Sequence, residues 1–286
     1  MNDTLKALIG LLDTGKPELQ VAAAQVLGEL RVREPAIVRS LAHAVKRSPV
    51  LGRFCLEALA KIQGPEAIQV LAAMTGETET LAEHAGHLLS ELGVAVNGPL
   101  AALFGEAQAD QRARILAILG RHLDKEAMPV FVQALLTPET VAAAARTLIS
   151  APLNPALLKQ LRDGLHKHLA GPLPEVCVVH ALQVLAAVDA SGSRTQLIAY
   201  TDRRHAPAVR SAAFIALRGA PLTATQIREW LDVLEDPEQR DVHDAVRNLL
   251  EQLPEVPEGM VVVLKRLLTA RQPEQRLFAE IGRAHV

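Results

Sequence analysis

The sequence predicts an all-α protein made of about nine pairs of short helices, of which the last pair is incomplete. Hydrophobic residues make up 49% of the chain but aromatic residues only 2%. Its apolar volume therefore comes from Leu, Ala, Val and Ile, and among these Ala and Leu are strong helix formers. In addition, one pattern recurs at intervals of roughly 28 to 36 residues, which suits two helices of about 11 residues and two short turns.

The second helix of each pair carries the recurring pattern. Residues 17–28 read PELQVAAAQVLG and residues 207–218 read PAVRSAAFIALR, so both have a proline, an aliphatic residue, small residues and an aliphatic pair. Proline suits the first helical position, because it lacks an N–H group and its φ is already helical. We expect Ala22 and Ala212 to lie where this helix meets its neighbours. The predicted starts are Pro17, Pro49, Thr78, Asp110, Pro138, Pro174, Pro207, Pro237 and Pro273.

The first helix of each pair is predicted from the apolar-periodic segment that precedes each start. Examples are residues 5–12, 68–74, 130–136, 227–234 and 260–268. Residues 151–155 (APLNP) interrupt the pattern after the fifth pair, and a long first helix that ends near Leu169 follows them. Because repeats resume on both sides, this break predicts a local change in the array and not a domain boundary.

This pattern of paired helices resembles the HEAT repeat family, including the bacterial HEAT-like repeats related to phycobilin lyase modules. The resemblance covers nearly the whole chain, which we expect to be one array over residues 1–279. It implies an armadillo-like α-solenoid, a right-handed α–α superhelix in which the second helices line the concave face. The motif is degenerate, so it defines the architecture well and the function poorly.

The C-terminal residues 280–286 (EIGRAHV) are similar to the translation of a common sequencing adapter. We therefore expect a non-native tail and a natural gene that continues past Ala279. The ninth pair gives the same indication, because its second helix begins at Pro273 and stops halfway. Repeat arrays normally end on a complete capping repeat.

No enzymatic chemistry is predicted from the sequence, and neither a cofactor nor a metal is expected. Residues 10–17 (GLLDTGKP) nearly match a phosphate-binding loop, but Pro17 replaces the Ser or Thr that would bind magnesium. His84 and His87 share one helix face without a visible third metal ligand. Cys55 and Cys177 lie in apolar helical stretches, which favours buried free thiols in a reducing compartment.

The candidate binding residues are polar side chains on predicted second helices, where the resemblance places the groove. They are Arg53, His84, His87, Arg112, Arg114, Arg146, Arg210 and Arg247. One interpretation gives these arginines ion pairs with turn residues of neighbouring repeats, together with solvated surface. The other has some of them face the groove and meet an acidic partner. The first interpretation requires arginines that are held by neighbouring repeats, and the second requires arginines that are exposed in the groove.

A non-catalytic protein-binding scaffold with an unknown partner is the predicted function, because solenoids present extended binding surfaces. The family resemblance suggests a bilin lyase or isomerase as an alternative, and nucleic-acid binding is another. Thirty Lys and Arg residues against 32 Asp and Glu residues disfavour nucleic acid. No signal peptide and no apolar run of membrane-spanning length is visible, so we expect a cytoplasmic protein without membrane contact.

Overall fold

The computed structural model describes residues 3–252 and, beyond them, residues 262, 265, 266 and 268. In residues 3–252 the chain forms sixteen α-helices and no β-strand, which confirms the all-α prediction. They form eight successive pairs, in which the first helix has an odd number and the second helix has an even number. The helices are α1 (Asp3–Thr14), α2 (Pro17–Leu30), α3 (Pro35–Val45), α4 (Pro49–Ile62), α5 (Pro65–Met74), α6 (Glu79–Glu91), α7 (Asn97–Phe104), α8 (Ala109–Leu119), α9 (Met128–Leu135), α10 (Val141–Ser150), α11 (Pro155–Leu169), α12 (Glu175–Asp189), α13 (Arg194–Ala199), α14 (Pro207–Ala216), α15 (Ala224–Glu235) and α16 (Arg240–Glu251).

The chain divides into two compact units. Unit 1 comprises Met1–Ala134 and Ser150–Leu153, and unit 2 comprises Leu135–Ile149 and Asn154–Val286. Part of this division falls within the interruption at residues 151–155. In unit 1 the second helices pack in succession, α2 on α4, α4 on α6 and α6 on α8, while α1, α3, α5 and α7 form a parallel series of contacts. Each pair in this unit therefore covers the next.

Unit 2 is built by the same rule. Its second helices pack in the order α12, α14 and α16, and each of α11, α13 and α15 contacts the second helix of its own pair. The aromatic residues in this unit add to an otherwise aliphatic interior. The ring of Phe214 meets the ring of Trp230 edge-on at 5.5 Å, which joins α14 to α15.

Several helix starts follow from the prolines that predicted them. Pro17, Pro49 and Pro207 each occupy the first turn of a second helix, as predicted. Pro174 precedes its helix by one residue. Two predicted starts are wrong by three residues, because Pro138 lies in a turn before α10 and Pro237 opens a short 3₁₀ turn before α16. In the second case the carboxylate of Asp236 accepts a hydrogen bond from the backbone N–H of Glu238, which stabilises the turn.

The core is aliphatic, as the composition predicts, and small residues allow close helix packing. Ala212 on α14 is 6% exposed, whereas Ala22 at the equivalent position of α2 is exposed. The expectation that Ala22 meets neighbouring helices is therefore wrong. The reason is positional, because α14 packs between α12 and α16 while α2 contacts only α4 among the described second helices. Leu19, Val26 and Leu30 on α2 are between 43% and 49% exposed for the same reason.

Carbonyl groups at the ends of first helices are capped by long side chains. These carbonyls lack partners within their own helix. Arg47 donates to the carbonyl of Leu12 at the end of α1, at 3.0 Å. Tyr200 donates to the carbonyl of Leu169, the last residue of α11, at 2.6 Å. Both bonds come from the next pair along the chain, so each closes a helix end and ties two pairs together.

The predictions for the C-terminal part lie outside the described residues. They concern most of the first helix at residues 260–268, the second helix from Pro273, the array end at residue 279 and the tail at residues 280–286. One array over residues 1–279 accordingly stays a prediction. Within the part of the chain that the structure does describe, no helix is long and apolar enough to cross a membrane.

Candidate binding surfaces

Three of the predicted site residues meet on the second-helix surface of unit 1, which we define as the outward side of α2, α4, α6 and α8. Arg53 lies on α4, and His84 and His87 lie on α6, which packs directly against α4. Their side chains line one open cleft of about 470 Å³. We call it the Arg53 cleft, and its other lining residues are Pro49, Thr80, Leu81 and Glu83.

Carboxylates organise the polar groups of the Arg53 cleft. Arg53 Nε donates to Glu57 Oε1 at 3.1 Å, yet the Arg53 side chain stays 68% exposed. His84 Nε2 lies 3.6 Å from the same oxygen, which is too long for a hydrogen bond, and this buried nitrogen has no partner. His87 is 67% exposed, with Nδ1 at 3.5 Å from Glu91 Oε1. Arg53 and His87 are therefore free to contact another molecule.

The charge of His84 is set by its position between α4 and α6. Burial lowers the pKa of His84 below the usual value of 6.5, and the nearby Arg53 and His87 act in the same direction. The carboxylate of Glu57 opposes this effect but does not overcome it. His84 is therefore mainly neutral at pH 7 and adds little charge to the cleft.

Arg112 and Arg114 on α8 cap first helices. Arg112 Nε donates to the carbonyl of Phe104 at 3.1 Å and its Nη2 to the carbonyl of Gly105 at 2.8 Å, at the end of α7. Its guanidinium also lies 5.6 Å from the centre of the Phe104 ring. Arg114 Nη1 donates to the carbonyl of Thr75, just after α5, at 3.2 Å. A cation at a helix C-terminus is favoured by the helix dipole.

Arg210 on α14 has a similar structural role and is only 5% exposed. Its Nε donates to the carbonyl of Thr201, just after α13, at 3.0 Å. Its Nη2 donates to the side-chain oxygen of Gln239, in the next pair, at 2.6 Å. Carbonyl and amide oxygens, and not the predicted carboxylates of turn residues, are therefore the acceptors of Arg112, Arg114 and Arg210.

The two remaining arginines interact along their own helices. Arg146 Nε donates to the carbonyl of Ala142 on α10 at 3.3 Å. Arg247 on α16 pairs with Asp244 at 3.0 Å and lies 3.6 Å from a carboxylate oxygen of Glu251. The described residues therefore bring together Arg53, His84 and His87, and they place the other candidates at separate positions. A binding role for any of the eight residues stays a prediction.

A second cleft, of about 470 Å³, lies in unit 2 around Arg210, and we call it the Arg210 cleft. Sequence reasoning identified Arg210 but missed the adjacent Arg203, Arg204 and Trp230. The signal was the basic pair before Pro207, which precedes the start of α14. The full lining is Ile198, Ala199, Thr201, Asp202, Arg203, Arg204, Arg210, Glu229, Trp230, Val233 and Gln239.

The two thiols lie in the interior, as the sequence predicts. Cys55 is fully buried, and burial raises the pKa of its thiol to about 12. Cys177 is also fully buried, and burial raises its pKa as well. Both cysteines are free. Neither sulfur can act as a thiolate nucleophile from this position, because the thiolate is the reactive form and neither group reaches the surface.

One comparison with known families gives a match. A family model described as HEAT repeats matches residues 5–89, and no curated protein matches the chain. The matched segment contains α2 to α5 and most of α1 and α6, so it includes the residues of α4 and α6 that line the Arg53 cleft. The contacts described above continue the same pairing of helices beyond it. Residues 5–89 are therefore similar to HEAT repeats, and the helix pairs that follow them, up to residue 252, are built in the same way.

Proposed function

We propose that the protein is a non-catalytic scaffold that binds a protein partner through the second-helix surface of unit 1. HEAT repeats generally serve as protein-interaction scaffolds, and residues 5–89 form such repeats. The observation that carries the proposal is the convergence of Arg53, His84 and His87 on one open cleft. Arginine and histidine can contact a polypeptide by hydrogen bonds and by charge without requiring one fixed ligand shape.

An exposed apolar side chain is the chain neighbour of one residue that lines the same cleft. Val50 follows Pro49 at the start of α4 and is 66% exposed. Single exposed aliphatic side chains are common on protein surfaces, but one near exposed polar side chains such as Arg53 and His87 provides a place for an apolar partner residue. We infer that the partner contacts Val50 with an apolar side chain and Arg53 with an acceptor group.

A comparison of two double variants tests the proposal. The protein and its Arg53→Ala/His87→Ala variant would each be crosslinked in extracts of the source organism, and captured proteins quantified by mass spectrometry. The matched control is Arg39→Ala/Gln69→Ala, which removes two exposed side chains from α3 and α5. We expect the control to retain a partner that the first variant loses by about tenfold or more. Equal capture by all three proteins would overturn the proposal.

The buried thiols count against the bilin lyase alternative, which needs a Cys, His or Tyr in a groove. Tyr200 is 8% exposed and its hydroxyl is bound to the carbonyl of Leu169, so this alternative would depend on histidines such as His84 and His87 of the Arg53 cleft. Mixing the protein with free bilins tests this alternative, and a visible-absorbance change that depends on His84 and His87 would favour it.

A gel shift at low salt tests nucleic-acid binding. The free thiols support a cytoplasmic location for the scaffold.

A further inference from the structure

The buried charge of Arg210 is not matched by a carboxylate. Arg210 is 5% exposed, and among the described residues no carboxylate lies within 4 Å of its guanidinium nitrogens. Its two acceptors are the carbonyl of Thr201 and the amide oxygen of Gln239, which are both uncharged. Buried charges in proteins are normally paired, because burying an isolated charge is costly. Arg210 therefore retains an unused capacity to bind an anion.

The unused donor group is Nη1. A guanidinium has five N–H donors, and the two hydrogen bonds of Arg210 use Nε and Nη2. Nη1 has no partner in the described part of the chain and is not sealed from solvent. Because Arg210 lines the Arg210 cleft, an acceptor that enters this cleft can reach the guanidinium.

The neighbouring acidic groups of the cleft are largely occupied. Asp236 pairs with Arg203 Nη2 at 2.6 Å. Asp202 accepts a hydrogen bond from the backbone N–H of Arg204 at 2.9 Å, and Arg204 Nε lies 4.0 Å from its carboxylate. Burial and the nearby charge of Arg203 lower the pKa of Arg210, which is the effect expected where positive charge is incompletely compensated.

Glu229 is the exception among the acidic residues. It lies at the exposed rim of the cleft and has no ion pair in the described part of the chain. It does not approach Arg210 closely enough to neutralise it. Its negative charge should weaken the binding of any anion, so its removal offers a test that leaves Arg210 and its hydrogen bonds in place.

The floor beside Arg210 is apolar. Ile198, Trp230 and Val233 line the cleft, and the Trp230 ring is held edge-on against Phe214. A free inorganic anion would gain nothing from these side chains. A carboxylate that belongs to a polypeptide could instead bind the arginine while an adjacent apolar side chain packs on the floor.

We propose that the Arg210 cleft binds a Glu or Asp side chain of an acidic, partly apolar peptide segment in the protein partner. The carboxylate accepts a hydrogen bond from Arg210 Nη1, and the neighbouring apolar residue of the peptide packs on Trp230 and Val233. This inference rests on the proposed scaffold function and adds a second contact site, in unit 2, with defined chemistry.

Trp230 provides a direct measurement, because it is the only tryptophan in the chain. Intrinsic fluorescence would be followed while the folded protein is titrated with the capped peptide acetyl-Leu-Glu-Leu-amide. The control peptide, acetyl-Leu-Gln-Leu-amide, differs only in lacking the charge. We expect a saturable change with the Glu peptide and an affinity at least about tenfold lower for the Gln peptide. Sodium acetate at equal concentration should give a much weaker response.

Protein variants test the same contact independently. Glu229→Gln should raise the affinity for the Glu peptide by about threefold, because it removes a negative charge from the rim of the cleft. The affinity for the uncharged Gln peptide should stay the same. Arg210→Gln should abolish the preference for the Glu peptide, provided that circular dichroism shows a folded protein. Arg228→Gln is the control, since it removes an exposed charge outside the cleft from α15, the helix that carries Glu229, and it should change neither affinity.

Three outcomes would overturn this inference. They are equal affinities for the two peptides, no saturable change up to about 10 mM peptide, and a response to acetate as strong as the response to the Glu peptide. If the peptide experiment fails while partner capture still depends on Arg53 and His87, only the Arg210 cleft is rejected. If capture fails and the peptide binds, the proposed surface of unit 1 is rejected instead.

Discussion

Arg210 Nη2 donates a hydrogen bond of 2.6 Å to Gln239 Oε1, so a residue of the seventh helix pair is tied to the eighth. The same guanidinium closes the end of α13 through the carbonyl of Thr201. One side chain thus supports a helix terminus and a contact between repeats. The two functions share a buried position, which makes this residue sensitive to substitution.

Replacing Arg210 should destabilise the fold. Arg210→Ala removes both hydrogen bonds and leaves the buried Gln239 and the partly buried carbonyl of Thr201 without this donor, at a cost of about 1–3 kcal/mol in the free energy of unfolding. Urea denaturation would measure this change. Arg228→Ala, which removes an exposed arginine from α15, should alter the unfolding free energy by less than about 0.5 kcal/mol. Equal effects of the two substitutions would mean that the ties of Arg210 contribute nothing to stability.

Two glycines in neighbouring helices should respond in opposite directions to alanine. A Cβ atom at Gly28 on α2 would lie 2.8 Å from Ala58 Cα on α4, whereas a Cβ atom at Gly10 on α1 has nothing within 4 Å. We expect Gly28→Ala to cost about 1–3 kcal/mol through overpacking. Gly10→Ala should stabilise the protein by about 0.5–1 kcal/mol, because alanine favours the helix. Thermal unfolding of both variants would measure these changes. If Gly28→Ala proved more stable than Gly10→Ala, the close packing of α2 on α4 would be contradicted.

The equivalent alanines of α2 and α14 should differ in their tolerance of a large side chain. Ala212 is buried between neighbouring second helices, so Ala212→Phe should lower the unfolding free energy by about 1–3 kcal/mol. Ala22 is exposed, so Ala22→Phe should change it by less than about 0.5 kcal/mol. Chemical denaturation of the two variants makes the comparison. A similar loss at both positions would show that α2 is covered in solution by something outside the described residues.

Stability should decrease as the pH falls from 7 to 5. Burial lowers the pKa of His84, His166, His205 and His243 below 6.5 in the folded protein. Below pH 6.5 the unfolded chain binds protons that the folded chain resists, so protonation favours unfolding. Acidic groups with lowered pKa values, such as Glu29, act only at lower pH, because their unfolded value is near 4.5. Urea denaturation at pH 7 and pH 5 measures this loss of unfolding free energy. The loss should be smaller for His243→Gln than for the unchanged protein, and an equal loss would exclude a contribution of His243.

Both thiols should resist labelling until the protein unfolds. Cys55 and Cys177 are fully buried, and burial raises the pKa of each thiol. We expect the native protein to release almost no thionitrobenzoate from Ellman's reagent at pH 8 and the urea-unfolded protein to release two equivalents per chain. Fast labelling of the native protein would place a reactive thiol at the surface and would reopen the lyase alternative.

Helix positions could be predicted from the sequence because local chemistry determines them. Pro17, Pro49 and Pro207 begin second helices since the proline ring fixes φ and removes a donor that a helix start does not use. The same reasoning misplaced the helix after Pro237, because Asp236 stabilises a separate turn there. A single residue type therefore predicts a boundary only when its neighbours do not offer the backbone another partner.

The site could be predicted only in part, because burial depends on the order of packing. Arg53 is the fifth residue of α4 and is exposed in an open cleft, whereas Arg210 is the fourth residue of α14 and is buried under the next pair. Arginine side chains are long enough to serve either role, so the residue type does not reveal which one applies, and a shift of one residue along a helix changes the face that the side chain occupies. Ala22 and Ala212 are in the same register but differ in burial, because only α14 has a neighbouring second helix on each side.

The hydrogen bonds between helix pairs also determine how the protein should respond to mechanical force. Tyr200 and Leu169 are 31 residues apart, and Arg114 and Thr75 are 39 residues apart, so these ties join only consecutive pairs. A pull on the two ends of either unit would load all of its pairs, and an outermost pair, which is supported on one side only, should yield first and leave the remaining ties intact. Each such event would release roughly 100 Å of extended chain. The protein would therefore lengthen in steps, one helix pair at a time, and could re-form each pair against the one that remained.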